Sequence, residues 1–266
     1  MLLFQEDDLE ASLGPTCFDF AGGRAIVFSA RAPEKKENED AAALLLHPDG
    51  GVIAVADGMG GRSAGRAASH TALGALERAL GSGKREGLSL QHAMVDGLEE
   101  ANQAVLALGL GAGTTLAAAV LEEGRARAIH VGDAFVLHVG QRGRIKAQTV
   151  SHSPTGYAVE AGFLDEEDAL HHEDRHFVSN HVGMEGMRIE VGSAVTLAPH
   201  DTLLVASDGL ADNLTVQEIV AAIRKGPLEE AARQLSDAAQ KRMVNPGTET
   251  PGHPDDLTFA LFRRAL

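Results

Sequence analysis

Tryptophan is absent from this 266-residue chain, cysteine occurs once, and aromatic residues make up 4% of it. With Cys17 as the single thiol, no internal disulfide can form, which fits a reducing compartment and leads us to expect a cytoplasmic protein. The shortage of rings leaves the core to Ala, Val, Leu and Ile and disfavours recognition of bases by stacking. Basic charge is also scarce. Lys and Arg number 23 against 38 Asp and Glu, a formal net charge of -15, which repels phosphate polymers and anionic bilayers. Neither nucleic acid nor membrane is therefore expected as a partner. The opening MLLFQEDDLE turns acidic at once, without the basic leader of a signal peptide or the long apolar run of a membrane span. The length suits one large domain with ample core.

What is present is a series of short apolar runs. Residues 25–30, 41–47 and 52–56 read as strands, the last two joined by the turn signal His47-Pro-Asp-Gly-Gly51. Apolar residues at helical spacing mark a helix from Ser63 to Leu80 and another through Met94, Leu98, Ala101, Val105 and Leu108. Gly81 and Gly83 are expected to end the first, Gly109 and Gly111 the second. Residues 114–122, 126–131, 134–139 and 144–150 read as a meander of antiparallel strands. Residues 151–186 hold five of the twelve histidines and little periodicity, which predicts an exposed, mobile excursion. A strand at 202–207, a capping box Thr215-Val-Gln-Glu218 opening a helix to about Lys225, a helix from about Leu228 to Arg242 and a strand at 256–263 complete the chain. This order suggests two antiparallel sheets with helices on both outer faces.

Five acids fall at strand boundaries. Asp57 ends VIAVA, Asp133 follows His-Val-Gly, Asp208 ends LLVAS, Asp255 precedes the last strand, and Asp40 precedes the AAALLL run. Asp-Gly pairs commonly make turns, but Asp57-Gly58 and Asp208-Gly209 lead into helices rather than into return strands. Carboxylates gathered at one end of a sheet repel one another unless cations lie between them. An all-oxygen donor set favours hard ions such as Mg²⁺ or Mn²⁺, and Gly58 lets backbone approach such an ion closely.

Read in order, NEDA (38–41), VADGMGG (55–61), GTTLAAAVL (113–121), HVGDA (130–134), SHS (151–153), LLVASDGLADNL (203–214) and PDDLTFAL (254–261) resemble the successive motifs of the metal-dependent protein phosphatase family, the protein phosphatase 2C type. DGMGG is similar to its bacterial branch. The resemblance spans about residue 22 to the C-terminus and implies an α+β fold, a four-layer αββα sandwich of two antiparallel sheets flanked by helix pairs. It implies a catalytic domain over 22–266, with 1–21 an extension or first strand and 151–186 a flap that shapes substrate choice. Two Mg²⁺ or Mn²⁺ ions, with a third possible, would be held by Asp57, the Gly58 carbonyl, Asp208 and Asp255. Asp133 would serve the third ion together with Asp208, and Asp40 the outer shell. The implied reaction is hydrolysis of phosphoserine or phosphothreonine in protein substrates of a Ser/Thr kinase, by a water bridging the metals.

Three positions depart from the pattern. Lys35 stands where the family usually has a phosphate-gripping arginine, with Arg31 and Arg62 as substitutes; Ala134-Phe135 replaces Ser-Arg after Asp133; and Met59 replaces a histidine credited as general acid. These departures motivate a rival from another class, a non-catalytic module that binds phosphorylated partners. A thiol phosphatase is disfavoured because six residues separate Cys17 from Arg24 and an extended run follows. A dinucleotide site fails on glycine spacing, and His171, His172 and His176 read as solvated loop residues rather than a zinc site.

Overall fold

The computed structural model describes residues 2–4, 15–33, 35–60, 64–109, 111–245 and 252–265. One seven-stranded sheet runs β1 (Leu2–Phe4), β4 (Ala41–His47), β5 (Gly50–Ala56), β8 (Leu116–Glu122), β9 (Arg125–Val131) and β12 (Glu190–Val191), with β13 (Val195–Thr196) also on β9. The six-stranded sheet runs β11 (Ile145–Gln148), β10 (Phe135–Val139), β14 (Thr202–Ala206), β15 (Leu257–Arg264), β3 (Gly23–Ala30) and β2 (Thr16–Phe20). A small ladder joins β6 (Gly58–Met59) to β7 (Gly113–Thr114).

The strand sequences explain the layering. Along β4, Ala41, Ala43 and Leu45 face a cluster shared with helices, while Ala42 and Leu44 face the other sheet; along β5, Val52, Ala54 and Ala56 alternate in the same way with Ile53 and Val55. Period-two alternation with both faces apolar yields strands buried on both sides. Helices α1 (Ala64–Glu86) and α2 (Leu90–Leu108) cover the first sheet, α6 (Val216–Ile223) and α7 (Leu228–Val244) the second, and a third apolar cluster fills the space between the sheets. The result is the αββα sandwich.

Two expectations about elements are corrected. The first helix does not stop at Gly81 or Gly83 but continues to Glu86. A Cβ on Gly83 would stand 2.7 Å from Ala93 Cβ, so this glycine serves helix contact rather than termination. The four-strand meander is two hairpins in different sheets: β8 pairs with β9, β10 with β11, and the chain changes sheets across 132–134.

The excursion at 151–186 is also less exposed than expected. It carries α3 (Pro154–Glu160), α4 (Glu166–Leu170) and a 3-10 turn at Glu173–His176, and it buries His152, Ser153, Thr155, Asn180 and Val182 at its two ends. Elements this short show no readable period. Phe163 and Phe177 in its middle are exposed. Cys17 is exposed on β2, opposite Ile26.

Candidate metal centre

Strand register brings the five acids to one end of the sandwich. Ala41 pairs with Ala56, so Asp40 and Asp57, each one residue farther along, face each other across β4 and β5. Phe135 pairs with Ala206, which sets Asp133 against Asp208 in the second sheet, and Ala206 pairs with Phe259, which places the start of β15 and the preceding Asp255 at the same edge. Asp208 opens the short helix α5 (Asp208–Ala211). A hydrogen bond of 2.7 Å from Ser207 Oγ to Asp40 Oδ2 ties the two sheets together at this end.

The backbone here is closely fitted. The Asp57 carbonyl accepts the Thr115 N–H at 2.8 Å and the Thr114 hydroxyl at 2.8 Å, and Gly58 N–H donates to the Glu39 carbonyl at 3.2 Å. A Cβ on Gly58 would lie 2.1 Å from the Gly65 carbonyl oxygen, so the start of α1 can pack here only against glycine. The amide N–H of Asp40 donates to Asn38 Oδ1 at 3.0 Å, fixing the turn before β4.

Crowding and burial raise the carboxyl pKa values. Burial, then Asp208, Asp40, Asp255 and Asp133, push Asp57 well above the usual carboxylate range; burial, then Asp133, Asp212 and Asp255, do the same to Asp208, although Asp57 and Asp208 share a hydrogen bond. Burial reinforced by Asp256 takes Asp40 to about 8, and burial with the charge of Asp212 takes Asp133 to about 6. Asp40 Oδ1, Asp133 Oδ1 and Asp208 Oδ1 are buried without a hydrogen-bond partner among the described residues. Orphaned buried carboxylate oxygens are costly, and hard divalent cations satisfy such oxygens while cancelling their mutual repulsion. The donor set fits the ions the sequence implied.

The phosphate-binding candidates fall differently. The Lys35 ammonium sits 2.8 Å from Asp255 Oδ1 and 3.1 Å from Asp256 Oδ2, and these contacts outweigh burial to raise its pKa. Its charge is thus committed to carboxylates at the edge of the centre. Arg31 is exposed, and Arg62 lies outside the described residues.

Sequence reasoning passed over several residues. Asp256 is buried and accepts the Ala32 N–H at 2.7 Å and the Glu39 N–H at 2.8 Å, so it anchors the loop that carries Asp40. Asp212 joins the acidic group one helical turn after Asp208, with burial taking its pKa to about 6 against the opposing charge of Arg175; the four-residue spacing was the available signal. His130, His152 and Glu190 also cluster, with one potential ligand atom from each within 4.8 Å of the others. His152 Nδ1 accepts the Gly132 N–H at 3.1 Å, so Nε2 carries the proton facing Glu190 at 3.1 Å. That tautomer suits bracing of the 132–134 crossover better than metal ligation. His171, His172 and His176 are exposed, as expected of solvated loop residues.

An αββα sandwich with buried, oxygen-only carboxylates gathered at one end of its sheets defines the class of protein. A family model described as protein phosphatase 2C matches residues 30–245, and the chain belongs to that family. A protein phosphatase 2C-type protein of Streptococcus pyogenes is 31% identical over 218 residues, 79% of this chain and 84% of that one. The serine/threonine phosphatase stp of Listeria welshimeri is 27% identical over 248 residues, covering 87% and 92%. Among solved structures, the serine/threonine phosphatase of S. agalactiae superposes with a TM-score of 0.77 at 27% identity, covering 90% of this chain and 98% of that one. No helix among the described residues is long and apolar enough to cross a membrane.

Proposed function

We propose that this chain is a metal-dependent protein serine/threonine phosphatase that removes phosphate from phosphoserine and phosphothreonine, opposing a Ser/Thr kinase in the cytoplasm. The catalytic domain covers 22–266. Asp57, the Gly58 carbonyl, Asp208 and Asp255 hold two Mg²⁺ or Mn²⁺ ions; Asp133 and Asp208 border a third position, and Asp40 acts from the outer shell. The observation that carries this reading is the convergence of carboxylates at one end of the sandwich, with buried oxygens of Asp40, Asp133 and Asp208 that find no donor among the described residues.

When bound, the ions supply positive charge that offsets the phosphoryl oxygens and acidifies water. The chain's own contribution is placement. Ser207 and the Asn38 turn orient Asp40, while Asp256 and Lys35 hold the 35–40 loop against the start of β15. With its ammonium held by Asp255 and Asp256, Lys35 serves that loop and leaves the charge for an incoming phosphoryl group to the ions. Preorganised charge of this kind needs no protein nucleophile.

The test is hydrolysis of a phosphothreonine peptide with Mn²⁺, with a chelator control and the Asp208→Asn variant. Chelation should abolish turnover, and Asp208→Asn should lower kcat/KM by roughly a hundredfold or more and weaken Mn²⁺ binding measured by calorimetry. Turnover that survives both changes would overturn the proposal, and failure to hydrolyse at all would favour the binding module.

A further inference from the structure

Phe135 is the least expected residue of the HVGDAF segment, standing where the family resemblance implies an arginine. It is half-buried at the start of β10 and lines a cleft of about 340 Å³ that also includes Asp133, Asp208 and Asp212. The rest of the wall is mixed: Leu137 beside Phe135 on β10, Val159 on α3, Leu170 on α4, Leu214 before α6 and Ile219 within it form an apolar side, and polar side chains of the 148–155 segment face it. Arg175, which also borders the cleft, is engaged with Asp212, its Nε 3.6 Å from the carboxylate. Glu160 and Glu166 add negative charge from the flap side.

We propose that this cleft is a substrate subsite that takes a bulky apolar side chain, of the leucine or phenylalanine class, from the phosphorylated protein segment whose phosphoryl group lies at the acidic centre. The inference rests on the phosphatase reading and adds the substrate class. Continuity argues for this occupant: aspartates of the candidate metal centre line the same cavity, so a side chain entering it belongs to a segment already held by its phosphate. The volume lies at the small end of ligand sites and suits one large side chain. Acidic neighbours repel acidic flanking residues. Replacing a cation by Phe135 removes an anion handle and supplies apolar surface. Helices α3 and α4 belong to the 151–186 excursion, so this cleft is also where that segment acts on substrate choice.

The test is a panel of phosphothreonine peptides carrying Leu, Phe, Ala or Glu at each of the three positions on either side of the phosphoresidue. With Mn²⁺, kcat/KM should favour Leu or Phe over Ala by roughly tenfold at one position, with Glu poorest. Phe135→Ser and Val159→Ser should each reduce that ratio to about twofold. A ratio cancels any loss of folded enzyme common to all peptides. A flat panel, or a preference that both variants leave intact, overturns the proposal, and a flat panel accompanied by binding of a free apolar dye in the cleft assigns it to a small ligand instead. If no peptide is hydrolysed the phosphatase reading fails, and the subsite is then judged by binding of non-hydrolysable phosphonate peptides. Tighter binding of the Leu peptide than the Ala peptide, lost in Phe135→Ser, supports it; equal binding overturns it.

Discussion

Asp255 and Asp256 are neighbours with different work. Asp256 turns inward, where two backbone N–H groups and the Lys35 ammonium meet its carboxylate, while Asp255 stays half-exposed at the acidic edge. Removing the inner carboxylate strands two donors in a buried site. Asp256→Ala should therefore destabilise the protein by about 2–4 kcal/mol in urea unfolding, and should loosen the 35–40 loop. A loss below about 0.5 kcal/mol, the range of ordinary surface substitutions, would show that the loop is held by other means. The sequence shows two adjacent acids, and successive residues of an extended chain point to opposite sides, but which side holds the donors depends on a loop more than 200 residues away.

Helix α6 shows how far local signals reach. Thr215 and Glu218 cap it reciprocally, as their spacing predicts, and Arg242 on α7 then grips the same Glu218 carboxylate. The Arg242 hydrogen bond, against a smaller opposing effect of burial, draws the Glu218 pKa from 4.5 down to about 2. A depressed folded-state value means that this stabilisation is complete above about 4.5 and is lost as pH falls toward 2. Comparing thermal unfolding of the wild type and Glu218→Gln should show a gap at pH 6 that closes on acidification between those values; a constant gap would contradict the assignment. Gly83 marks the limit of local reading, since a glycine that ends a helix and a glycine that admits a neighbouring helix look alike until Ala93 is placed against it.

For the molecule as a whole, the acidic end is a cost that cations relieve. Asp40 at about 8 and Asp133 and Asp212 at about 6 bind protons more tightly folded than unfolded. Raised folded-state values contribute stability at low pH that is lost as pH rises from the ordinary carboxylate range through them. The chelated protein should accordingly show a falling Tm from about pH 5 to about pH 8, and Mn²⁺ should oppose that fall, raising Tm further with each increment in log concentration. A Tm in chelator that rises across this interval, or is unmoved by Mn²⁺, would contradict a cation site at the convergence of these acids.

Strand runs, helix pairs, the Thr215 capping box and the placement of the acids at strand ends were fixed by the sequence itself, because alternation, capping and turn chemistry act over a few residues. The ordered motifs carried the family as well. Tertiary structure alone decided that the chain changes sheets at 132–134, that Lys35 faces Asp255 and Asp256, and that Phe135 opens onto a cleft beside the acidic group. Those outcomes depend on register and layer packing between segments far apart in the chain, where a side chain's partner is set by which strands lie side by side.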